Sequence, residues 1–129
     1  MKKTAEDWLV SAESDLLLIR TIKAHEDLTH LSAFHAQQSI ETSFKAIIEE
    51  YDLGFIKTHS LETLFNKVRD NISQDIDTDM LTLLDQLYID ARYPGELGLL
   101  PNGKPTVVEA NEFYSLAAQL HEAARTACR

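Results

Sequence analysis

All three prolines of this chain, Pro94, Pro101 and Pro105, fall within residues 93–105, and so do three of its four glycines, Gly95, Gly98 and Gly103. The strongest breakers of regular backbone are gathered in one stretch, YPGELGLLPNGKP, which predicts one long loop. Everywhere else the chain is free to be helical, and its apolar residues recur at helical spacing. Alternation of apolar and polar residues persists nowhere over a strand's length, which argues against an α/β fold. The predicted fold class is therefore all-α.

Five amphipathic helices follow from that pattern. The first runs from about Ala5 to Lys23, with Thr4 as N-cap and Ala5, Trp8, Leu9, Ala12, Leu16, Ile19 and Ile22 inward. The second runs from about Leu31 to Tyr51, with Gly54 as the left-handed residue at its end. The third spans about Leu61 to Ile72, capped by Ser60. The fourth spans roughly Asp79 to Tyr93 and stops before Pro94. The fifth opens on Thr106-Val-Val-Glu109, the pattern of a capping box, and reaches about Ala127. Such a set predicts an up-and-down antiparallel bundle of four to five helices, and 129 residues suffice for one domain, 1–129.

The charge narrows the function. There are 21 acids against 12 bases, a net charge of −9, and no Lys/Arg cluster beyond Lys2-Lys3. Such a surface repels a nucleic-acid backbone as a whole. No long uncharged apolar run is present, so no membrane span is expected. Glu6, Asp7, Glu13 and Asp15 break any signal-peptide core, and the single Cys128 makes no internal disulfide. The cytoplasm is the expected location.

The second helix carries the feature most in need of explanation. At about 100° per residue, Leu31, Phe34, Gln37, Gln38, Glu41, Phe44 and Ile48 share one face. Amides and a carboxylate stand in line with Phe and Ile. A carboxylate there must find a cation or lose its charge. Lys45 stands four residues on, in the favourable order for a helical ion pair. Two readings stand: a solvated stripe edge, or a buried or interfacial polar network that joins Gln38 and Glu41 to Lys45, Arg92 or His59.

Arg92 aligns with Asp85 and Tyr88 on the fourth helix, and also has two readings. It bridges structurally to Glu41 or Asp85, or its planar fork contacts a phosphate or RNA. His59 precedes the third helix, where capping or bonding to a carbonyl is its structural role and acid–base chemistry its functional one. No His pair has metal-ligand spacing, so no metal and no cofactor are expected. Phosphate-binding glycine loops and nucleophile elbows are absent from the sequence.

Four segments together carry a resemblance. They are Trp8-x-x-x-Ala12-x-x-Asp15-Leu16, Phe34-His-Ala-Gln37-Gln38-Ser-Ile-Glu41-x-x-x-Lys45-Ala46, Thr58-His59-x-Leu61-x-x-Leu64 and Tyr88-x-x-Ala91-Arg92-Tyr93-Pro94. In this order and spacing the chain resembles the HEPN domain family over nearly its whole length. The resemblance implies a helical bundle and a homodimer. It also implies pairing with a minimal nucleotidyltransferase in a toxin–antitoxin type module, with nucleotide or RNA as a further partner. Active members of that family cleave RNA without a metal through an R-x(4–6)-H motif. Here no His follows Arg92 at that spacing, and the one literal match, Arg20 to His25, ends the first helix. The expectation is a dimeric, partner-binding HEPN protein. Its candidate polar cleft is made of Gln38, Glu41, Lys45, His59, Tyr88 and Arg92, near the long loop. The alternative is an RNA-cleaving or nucleotide-binding module with Arg92 in the site and His59 beside it.

Overall fold

The computed structural model describes residues 1–92 and 104–129, with side chains for all of these except 89–92. Five α-helices follow in order: α1 (Lys3–Ile22), α2 (Thr29–Glu50), α3 (Leu61–Val68), α4 (Thr78–Arg92) and α5 (Val107–Cys128). Single 3₁₀ turns at Glu26–Leu28 and Arg69–Asn71 precede α2 and follow α3. Among the described residues there is no strand and no helix long and apolar enough to cross a membrane. The long loop and its prolines at 94 and 101 lie outside the described residues.

α2 is the axis of the assembly, because it packs against all four other helices. Its composition explains how. Ala33, Ala36, Ser39, Ser43 and Ala46 are small and buried, so neighbouring backbones come close. Ser39 uses that proximity to donate from Oγ to the Ala12 carbonyl of α1 at 3.0 Å. Phe44, Ile40 and Ile47 of α2 then fill the interior together with Leu16 and Ile19 of α1, Leu64 of α3 and Phe113 and Leu120 of α5. Each fully buried Leu, Ile or Phe contributes about 1.5–3 kcal/mol relative to exposure, which makes this set the main source of cohesion.

The helix ends follow the sequence in part. Ser60 Oγ accepts from the Thr63 amide, and Thr106 and Glu109 form the reciprocal capping box that opens α5. Thr4 is not a cap. α1 starts two residues earlier than expected, at Lys3, with Lys2 at the cap position and no side-chain cap bond. The Lys2 amide instead donates to Glu50 Oε1 at 2.6 Å, so the end of α2 serves the start of α1. The third helix is also shorter than expected, because Arg69–Asn71 tightens into the 3₁₀ turn before Ile72.

At the end of α2 it is Asp52, at φ 52°, that takes the left-handed position, two residues before Gly54 at φ 96°. The Leu53 amide reaches back to the Ile48 carbonyl at 3.0 Å, closing the helix in the Schellman manner. The Tyr51 hydroxyl donates to the Ala127 carbonyl and ties this end to the end of α5. Cys128 is buried beside it, and burial pushes its thiol up to about 11.

Candidate functional site

The polar face of α2 turns inward. Glu41 is only 4% exposed, and each of its oxygens is bonded. Lys45 Nζ donates to Oε2 at 2.8 Å, and Gln37 Nε2 donates to Oε1 at 3.3 Å. His59 Nδ1 lies 3.0 Å from Oε1. A carboxylate can only accept there, so the ring carries its proton on Nδ1. A buried carboxylate with one cation and further donors meets the condition under which such a charge is tolerated.

Gln37 is the hub that the spacing rule underrates. It is fully buried, and besides Glu41 it serves the His59 carbonyl, which accepts from Nε2 at 2.9 Å. Gln38 Nε2 donates in turn to Gln37 Oε1 at 3.2 Å. Gln38 therefore acts on Glu41 only through Gln37. The result is a clamp on the extended chain before α3: one α2 amide holds the backbone of residue 59, and one α2 carboxylate holds its ring.

Rings complete the wall. His59 lies 5.6 Å from Tyr88 of α4, centroid to centroid, and Tyr88 stacks on Phe34 of α2 at 5.7 Å and 19°. On the other side, Lys45 Nζ stands 5.3 Å from the Trp8 ring centroid. The His59 side chain remains 55% exposed. With Nδ1 engaged, Nε2 of the neutral ring is an acceptor with no partner among the described residues, next to solvent. That arrangement can take a proton from a bound group and return it, with Glu41 orienting the ring.

Of the six candidate residues, the structure brings Gln38, Glu41, Lys45, His59 and Tyr88 into one connected set. Arg92 ends α4, but its side chain lies outside the described residues, as does the loop that was to border the cleft. The two acids considered as its mates have other partners. Glu41 is bonded as above. Asp85 caps α3 from across the fold: Oδ1 accepts from the Leu61 amide at 2.8 Å, and Oδ2 from the Glu62 amide and Ser60 Oγ at 3.3 Å each. Burial pushes the Asp85 carboxyl up, and these donors oppose the shift. His59 does not cap α3, because Ser60 and Asp85 do.

Other groups escaped the pattern reading. His35 Nδ1 meets Asp15 Oδ1 at 2.9 Å, joining α2 to α1. His121 is buried, with Nε2 3.2 Å from the Leu9 carbonyl. Their spacings, 20 and 112 residues, leave no local signal. Among the described residues no three His, Cys, Asp or Glu side chains converge as a metal site would require.

The sequence profile of the HEPN domain matches residues 5–126. The crystal structure of an archaeal HEPN homologue superposes with a TM-score of 0.72 at 25% identity, covering 99% of this chain and 100% of that one. No protein of curated function matches the chain.

Proposed function

This chain belongs to the HEPN domain family, and from that premise we propose that it is a dimerising, partner-binding HEPN subunit. Its partner is a minimal nucleotidyltransferase, in a module of the toxin–antitoxin type. One observation carries this reading: both oxygens of Glu41 are taken up inside the bundle by Gln37, Lys45 and His59. The cluster fixes how the segment before α3 sits on α2, and so holds a surface in shape. The missing His after Arg92 supports the same reading, since the family's RNA-cleaving pair is incomplete at that place. The net charge of −9 favours encounter with a basic partner surface.

The test is to purify the chain alone and with a minimal nucleotidyltransferase from the same genome. Light scattering then gives the mass of each species. A dimer alone and a stoichiometric complex when mixed are expected. A monomer that ignores the nucleotidyltransferase overturns the reading.

A second reading rests on the Glu41–His59 contact. A histidine oriented by a carboxylate, with Nε2 unpartnered among the described residues, suits metal-independent RNA cleavage or nucleotide binding with Arg92 as the anion contact. It requires RNA cleavage in the presence of a chelator that disappears in His59→Ala and in Arg92→Ala.

A further inference from the structure

Lys45 also lines a cavity of about 310 Å³, to which Glu41, Gln38, His59 and Tyr88 do not contribute. Trp8, Ile48 and Ile56 line it, with Phe55 and the carboxylates of Glu49 and Asp52. The size falls within the range of small-molecule sites, and the lining has their character: mostly apolar side chains with a few charged ones.

Its electrostatics are polarised. Lys45 is the cation of the lining, and its Nζ is already bound to Glu41 at 2.8 Å. The Glu49 carboxylate has no ion pair among the described residues and its Oε2 accepts from Thr4 Oγ1 at 3.4 Å, while the Lys2 ammonium donates to the Glu49 carbonyl at 3.0 Å. Asp52 is paired with Lys2 at 2.8 Å, but its side chain is 84% exposed, and such a surface pair exchanges readily. One lining ring is conspicuous for its position. Phe55 is 88% exposed although it lines the cavity.

We propose that this cavity is a binding site for a small organic cation, an aromatic or aliphatic body that carries one ammonium group. The body occupies the space between Trp8, Ile48 and Ile56, under the Phe55 ring. The ammonium faces Glu49 and Asp52 and turns away from Lys45, whose like charge would repel it. An anionic ligand of the same shape binds less tightly, because Glu49 and Asp52 repel it and Glu41 already holds Lys45.

Trp8 is the only tryptophan, so its emission reports on this cavity directly. The probes are phenethylammonium and phenylacetate, which share a body and differ in charge. Saturable change in Trp8 fluorescence is expected with phenethylammonium, at an affinity about fivefold tighter than with phenylacetate, the size of an exposed ion-pair contribution. The double variant Glu49→Gln, Asp52→Asn is expected to bring the two ligands within about twofold of each other. Phe55→Ala, a change at an exposed ring that leaves the core intact, weakens both. Thermal stabilisation by each ligand, measured alongside, detects binding that leaves the emission unchanged. Equal affinities, tighter binding of phenylacetate, or no saturable response by either measurement overturns the proposal.

Discussion

Glu41 on α2 and Asp85 on α4 are two carboxylates withdrawn from bulk water, and they are stabilised by different kinds of donor. Glu41 is surrounded by side chains: an amide four residues before it, an ammonium four residues after it, and an imidazole from another segment. Asp85 is met mainly by backbone, the first amides of α3, where the helix dipole also favours negative charge. The Glu41 arrangement pins a loop to a helix through chosen residues. The Asp85 arrangement docks one helix end on another through groups that every residue possesses. Removing a member therefore has different consequences in the two places.

The largest effect is expected at Glu41. Glu41→Gln leaves Lys45 without its mate and should cost about 3 kcal/mol, the low end for breaking a buried pair, because Lys45 is partly exposed. Urea unfolding measures this, and a loss within about 0.5 kcal/mol would mean that Glu41 behaves as a surface group. Gln37→Ala comes next, at about 2 kcal/mol, since the His59 carbonyl then loses a buried donor. Amide exchange at residues 58–60 should rise in the same variant. Unchanged exchange there would break the idea of a clamp.

Asp85→Ala should cost about 1 kcal/mol as a lost helix cap. Its pH dependence sharpens the contrast. Burial raises the native pKa of Asp85 above the unfolded value. The linked contribution is therefore fully present below the unfolded pKa and is lost as pH rises through the native one. The difference between wild type and Asp85→Ala should be greater at about pH 4 than at about pH 7. The opposite trend would show that the α3 amides outweigh desolvation. The smallest effect is expected at His59, whose ring is half in solvent: His59→Ala should cost about 0.5 kcal/mol of stability. A loss as large as that of Glu41→Gln would make the ring a structural member equal to the carboxylate.

This contrast also explains what the sequence reveals. The number and order of helices follow from apolar periodicity and from the clustered prolines, and of the inward residues the wheel selects on α1, Ala5, Leu9, Ala12, Leu16 and Ile19 are buried, whereas Trp8 and Ile22 are only partly so. The Thr106 capping box is legible because both partners lie within one turn. Glu41 and Lys45 are legible for the same reason, four residues apart on one helix. The choice of His59 as third partner was one of several open alternatives, because an 18-residue separation has no period. Asp85 as the cap of α3, Lys2 meeting Glu50, and Asp52 as the terminator of α2 were not legible. In each case the bond goes to backbone or crosses the fold, and neither kind of bond leaves a residue-type signature. Thr4 illustrates the converse: a residue with a strong cap preference sits two residues past the cap position and turns to Glu49 instead.

The packing of Cys128 gives the chain a built-in clock. Its thiol is almost fully enclosed and stays protonated near neutrality, so alkylating reagents react only when the last turn of α5 lifts off Tyr51 and the end of α2. The rate at which a maleimide labels the folded protein therefore times the opening of that corner, and no engineered reporter is required.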